Sequence, residues 1–275
     1  MSEEEAKDYR ESIDVDLIFG IDLRNGVVLR KFLMEDFGKA HWKTITSLLP
    51  SLSLAEFTLE KRVRDENGLE FQRLRPHIHK ALGKTVLALR LLKPGYIAGN
   101  FIFDVAVRLA ERNQLISWTI EAKQRTHSHG PSYALQSSEI PELANLLKKI
   151  QNIDIEKHKS LRIACKRFQQ SYEENNPEDK IIDLIIGLKA LFSDGPGIIQ
   201  RGETLSNDCA HLLGDNETDE YEIKHVMNDA ILLRDSIICN SPYEKSEDPD
   251  YMLDLVSRVE DYLRESLKHF INLYN

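Results

Sequence analysis

Residues 176–192 read NPEDKIIDLIIGLKALF. Asn176 is a helix-capping residue type, and Pro177 fits the first turn, where a missing N–H costs nothing. Glu178 and Asp179 then sit against the positive end of the helix dipole. From Ile181 to Phe192 the run is nearly all apolar, so the pattern predicts a helix covered by neighbours on most sides, central to a helical assembly. Asp194-Gly195-Pro196-Gly197 ends it.

The flanking sequence predicts further helices. Ser160 to Ser171 places Leu161, Ala164, Cys165 and Phe168 on one side. Ile198 to Leu213 reads as a helix stopped by Gly214. Thr218, followed by Asp219 and Glu220, reads as the cap of a long helix reaching about Cys239. Asp248 to Leu273 closes the chain. Five helices joined by short turns predict an all-α antiparallel bundle over residues 156–275. In the last helix Leu255, Val259, Tyr262, Leu263, Phe270 and Leu273 form a broad apolar face, which suits either core packing or a homodimer interface.

Residues 1–155 read differently. After a polar start at 1–12, Ile13 to Leu23 and Val27 to Phe32 alternate as strands around the Asn25-Gly26 hairpin signal. Phe57 to Val63, Phe101 to Leu109 and Leu115 to Ile120 are further strand candidates. Pro76 to Leu92 reads as a helix stopped by Lys93-Pro94-Gly95. Thr126 to Ser138 is a loop, and a short helix runs from Ile140 to Ile150. The expectation is an α+β N-terminal domain around a small antiparallel sheet, with the boundary near residue 155.

Composition narrows the function. At roughly 150 residues per domain, 275 residues suit one or two domains. No run of about 18 uncharged apolar residues exists, and the acidic start MSEEEAKDYRES is unlike a signal peptide. Cys165, Cys209 and Cys239 are an odd set without CxxC spacing, which points to a reducing, cytoplasmic setting rather than disulfides or a cysteine zinc site. Charge divides unevenly. Residues 151–275 carry 25 acids and 14 bases, while residues 1–150 carry 20 acids and 22 bases. An acidic half repels nucleic acid at long range, so the N-terminal half is the better phosphate binder. His77 and His79 begin a predicted helix, where side chains two apart diverge, and His127 and His129 sit in a loop that lacks nearby Asp, Glu or Cys, so no metal is expected. No Walker loop, GxGxxG, GxSxG or HExxH occurs, and no cofactor is implied.

Several segments, taken in order, resemble the Apea-like group of the HEPN superfamily. They are Leu161 to Phe168, Pro177 to Phe192, Cys209-Ala210-His211-Leu212-Leu213-Gly214, and Leu233-Arg234-Asp235-Ser236-Ile237-Ile238-Cys239-Asn240. Ala88 to Gly95 is similar to a segment that precedes this domain in the group. The resemblance covers roughly residues 75–275. It implies a helical bundle that dimerises, often a metal-independent ribonuclease in prokaryotic defence or toxin–antitoxin-like systems. In such enzymes an arginine stabilises phosphate, and a histidine five to seven residues later moves protons.

This chain departs from that pattern twice. The family arginine falls on Arg234, but the histidine position falls on Cys239 and the helix-two glutamate on Lys189. Helical geometry of about 100° per residue places Arg234 in the apolar arc of Val226, Met227, Ala230, Ile231, Leu233 and Ile237, and Lys189 between Phe192 and Ile182. Both cations would then point toward a helix–helix or dimer surface. Three readings follow. Arg234 snorkels to a carboxylate such as Asp183 or Asp235, with Lys189 at the bundle edge. Or Arg234, Lys189, Asn240 and Cys239 form a cleft for phosphate, nucleotide or RNA without cleavage. Or an active ribonuclease uses Arg234 and Asp235, with His211 or His225 as an unexpected base. The expected function is a degenerate, non-catalytic HEPN protein. The alternatives are an active ribonuclease and an acidic module that captures a basic protein partner.

Overall fold

The structure, a computed structural model, describes residues 80, 83–95, 97, 133, 135–194, 205–242 and 248–275, together with the backbone of five short strands. The strands are β1 (Ile21–Asp22), β2 (Val27–Lys31), β3 (Phe57–Lys61), β4 (Val107–Arg108) and β5 (Leu115–Ile116). The first three pair antiparallel in the order β1-β2-β3, with Ile21 opposite Leu29 and Leu29 opposite Leu59. β4 pairs antiparallel with β5. Apart from the strands and residues 80, 83–95, 97, 133 and 135–155, the proposed N-terminal domain, including the Asn25-Gly26 turn and all four histidines of the HxH pairs, lies outside the described residues.

The remaining elements are helices: α1 (83–92), α2 (Ile140–Asn152), α3 (Lys159–Ser171), α4 (Pro177–Asp194), α5 (Leu205–Leu213), α6 (Glu217–Cys239) and α7 (Pro249–Leu273). Among the described residues no helix is long and apolar enough to cross a membrane. The chain divides into two compact units. One contains the strands and residues 134–147, and the other joins residues 86–99 and 127–133 to residues 148–275. The second unit is the helical bundle and is not one continuous stretch of chain.

Its core follows from the predicted apolar stripes. α4 buries Ile181, Leu184, Ile185, Leu188, Leu191 and Phe192, and packs on α3, α5, α6 and α7. That many neighbours explains why its sequence is apolar on nearly every side. Gly187 permits the α4–α7 approach, because a Cβ there would stand 2.8 Å from Leu263 Cδ2. In α7 the residues Leu255, Val259, Leu263 and Phe270 are all buried within the chain. The broad face that suited a dimer is therefore spent on the core, apart from exposed Leu273 and half-buried Tyr262.

Two helix starts separate expectation from structure. Asp248, the first residue of the predicted last helix, caps α7, its side chain accepting from the backbone N–H groups of Asp250 and Tyr251. For α6 the cap is Asn216, not Thr218. Asn216 has the extended backbone of a capping residue, and its Oδ1 accepts from Thr218 and Asp219 N–H. Its carbonyl already receives the Glu220 N–H, so Thr218 lies inside the first turn. Within the longer predicted helix ending at Leu213, the described helical part begins at Leu205.

Two stability measurements check this packing. Gly187→Val, which forces α4 away from Leu263, is expected to cost about 1–3 kcal/mol in urea unfolding. Asn216→Ala should cost about 1 kcal/mol, whereas Thr218→Ala should stay within about 0.5 kcal/mol.

Candidate functional site

Arg234 lies near the C-terminal end of α6, with its side chain 12% exposed. Its guanidinium donates from Nε to Asp235 Oδ1 at 2.9 Å, and Nη2 bonds the same oxygen. Of the two carboxylates expected to attract it, Asp183 is already engaged: Arg167 donates to it at 2.6 Å, tying α3 to α4. Arg234 thus turns to its sequence neighbour, at the surface edge of the apolar arc.

The other residues read as site candidates have separate positions. Lys189 is exposed on α4, at the bundle edge and not inside a helix–helix contact of the chain. One turn before the helix end, its side chain has open solvent, where the charge is best solvated. Asn240 closes α6 in the left-handed conformation, with φ 50° and ψ 42°, and Ser241 N–H reaches back to Ser236 O at 2.9 Å. Asparagine is one of the few non-glycine residues that adopts this backbone readily, so helix termination accounts for its identity. Cys239 is exposed. Among the described residues no hydrogen bond or ion pair joins Arg234, Lys189, Cys239 and Asn240 to one another. His225 is exposed. His211 Nδ1 stands 3.2 Å from Glu220, bridging the α5–α6 turn.

The strongest electrostatic assembly in the bundle is elsewhere. Arg264 of α7 is 1% exposed. It donates from Nε to the Arg90 carbonyl at 2.9 Å, from Nη2 to Tyr172 Oη at 2.9 Å and Glu260 Oε1 at 2.5 Å, and from Nη1 to Asp261. Lys180 of α4 meets the other oxygen of Glu260 at 2.5 Å. The Arg90 guanidinium stacks 4.5 Å from the Tyr172 ring centroid and donates to the carbonyls of Ile97 and Gln169.

These contacts finish the end of α1. The last carbonyls of a helix have no partner within it and carry partial negative charge. Tyr133 Oη donates to the Leu89 carbonyl at 3.0 Å, Arg264 takes that of Arg90, and Lys268 Nζ reaches that of Leu92 at 3.5 Å. Gly95, with φ +142°, then turns the chain against Tyr133, where a Cβ would meet the ring at 2.9 Å.

The titration of the cluster follows from its partners. Burial alone would raise the Glu260 carboxyl, but Lys180 and Arg264 outweigh it and hold the group below the ordinary glutamate value. Burial, reinforced by Glu260, pushes the Tyr172 phenol well above its usual range. Burial works against the charge of Arg264, yet Tyr172, Glu260 and Asp261 raise its pKa, so it stays a cation. Burial also pushes the thiols of Cys165 and Cys209 up to about 12, which makes both inert as nucleophiles. Among the described residues no group of three histidine, cysteine or carboxylate side chains is placed to hold a metal.

Sequence spacing alone does not mark this cluster. Glu260 and Arg264 have the i,i+4 spacing of an ordinary solvent-exposed pair, and only the burial of α1 against α7 distinguishes them. In comparisons with protein families, curated proteins and solved structures, nothing matches this chain.

Glu260 generates a pH test. A carboxyl depressed in the folded state stabilises the fold above its unfolded pKa of about 4.3, and that stability is lost as pH falls through the folded value. Glu260→Gln should lower stability at pH 7 and flatten the acid arm of a stability–pH profile between about pH 5 and 3. Arg264→Ala should cost about 3–5 kcal/mol at neutral pH, read by urea unfolding.

Proposed function

We propose that the bundle is a degenerate, non-catalytic HEPN-like module that acts as a binding or regulatory component, attached to an α+β domain built from the remaining N-terminal residues. The pairing of Arg234 with Asp235 carries this reading. Metal-independent RNA cleavage needs a cation free to meet the developing phosphate charge and a group that exchanges protons near neutral pH. Here the cation is already neutralised within its own helix. The residues that follow, Asp235 to Pro242, include no histidine.

The cellular role that goes with this proposal is a cytoplasmic one in a prokaryotic defence or toxin–antitoxin-like system. The protein would work there as a homodimer or with a protein partner, and RNA or a nucleotide would be bound rather than cut. The acidic balance of residues 151–275 favours a protein partner over direct RNA binding by the bundle.

The test is incubation of the protein and its Arg234→Ala variant with mixed cellular RNA in EDTA. Neither is expected to cleave. Cleavage by the parent that is absent in the variant would make Arg234 catalytic and overturn the proposal.

A further inference from the structure

Basic residues are not spread evenly through the bundle. Residues 157–172 hold five Lys and Arg and no Asp or Glu, although residues 151–275 as a whole carry 25 acids and 14 bases. Most of this stretch is α3. One of its cations, Arg167, is spent on Asp183. Lys159, Arg162 and Lys166 are exposed, as is Lys157 just before the helix. Steps of about 100° per residue put Lys159, Arg162 and Lys166 within about 60° of one another, along about 10 Å of helix. The buried residues Leu161, Ala164, Cys165 and Phe168 take the opposite side. The outward arc otherwise holds only the half-buried Ile163, Gln169 and Gln170. Carboxylates stand at its ends. Asp154 meets Lys157 at 3.4 Å and Glu156 meets Arg162 at 3.5 Å, with all four side chains about half exposed or more. Exposed pairs of this kind are worth about 0–1 kcal/mol, so they open readily to a competing anion. Among the described residues no ion pair engages Lys159 or Lys166.

The composition of the face selects the anion it suits. A protein partner is held chiefly by apolar and aromatic anchors near the centre of its interface. The α3 face offers none, because no large apolar side chain exposed among the described residues belongs to this helix. Single-stranded nucleic acid is held on aromatic platforms as well as by cations. The outward arc of α3 has no aromatic residue. The phosphates of a duplex need cations alone, since release of counterions supplies the affinity. The acidic balance of the bundle weakens such attraction at long range. Within about 10 Å, the screening length at roughly 0.1 M salt, the local cations prevail.

We propose that the outward face of α3 is a contact surface for the phosphate backbone of duplex nucleic acid, with Lys159, Arg162 and Lys166 as its cations and no recognition of bases. This deepens the reading of the bundle as a non-catalytic binding module and rests on it. It names the ligand class and assigns its contact to α3 rather than to Arg234.

The test is fluorescence anisotropy on the full chain at low salt, using labelled RNA and DNA duplexes of two unrelated sequences, with poly-glutamate as a competitor. The RNA and DNA arms compare two sources of the same phosphate chemistry, and both should bind. DNA lacks the 2′-hydroxyl that transphosphorylation needs, so its binding is read apart from any cleavage at Arg234. On DNA the logarithm of the affinity should fall against the logarithm of salt with a slope of about −2.7, the value for three phosphates. Lys159→Gln/Lys166→Gln should bind about tenfold more weakly, with a slope near about −0.9. Lys224→Glu, which changes the net charge equally at an exposed lysine of α6, should bind like the parent. Absence of binding, an unchanged affinity in the α3 variant, or an equal loss in Lys224→Glu would overturn the proposal. So would a preference for one duplex sequence, or displacement of the duplex by poly-glutamate at a lower concentration than by unlabelled duplex, which would make the occupant an acidic protein. Circular dichroism establishes the fold of each variant before affinities are compared.

Discussion

The bundle depends on a guanidinium buried where no water reaches it. Arg264 costs several kcal/mol to desolvate and is tolerable only because every direction of its fork meets an acceptor. Those acceptors come from three places in the chain: a carbonyl at the end of α1, the Tyr172 hydroxyl after α3, and carboxylates one turn back on α7 itself. Lys180 brings in α4 through the same glutamate. One cation thereby fixes four segments at once. Partial loss leaves the remaining charges buried and unmatched, which makes such networks all-or-none in character.

Much of the helical architecture was legible from the residues. Periodicity in 160–171, 177–192 and 248–273 located helices, and the apolar residues on their stripes are buried apart from Tyr262 and Leu273, because burial of a stripe is the main constraint on such sequences. What was not legible depended on partners remote in sequence. Whether the α7 stripe faced a core or a second subunit could not be read from its spacing, since both uses demand the same pattern. The Asn216 cap was missed for a local reason. Thr218 followed by two acids satisfies the same rule, and only the backbone turn at Asn216 decides between them.

The candidate site shows the same division. That Arg234 lies on the apolar side of α6 followed from its position in the heptad-like pattern, and its 12% exposure agrees. Its choice of Asp235 over Asp183 did not follow, because Arg167 on another helix had already taken Asp183. Competition between cations for one carboxylate is a property of the packed molecule. The Arg264 network was invisible for a related reason: an i,i+4 Glu–Arg pair has the same spacing on a wet surface and in a dry core.

The capping of α1 also bears on the order in which the molecule can be made. The Arg90 carbonyl waits for a guanidinium 174 residues further along, and the Leu92 carbonyl for an ammonium 176 residues further along. A ribosome therefore releases α1, with Arg90 and a run of buried leucines, long before its partners exist. Contacts this distant in sequence are slow to form and leave apolar surface open in the meantime. The bundle therefore closes only after α7 has emerged.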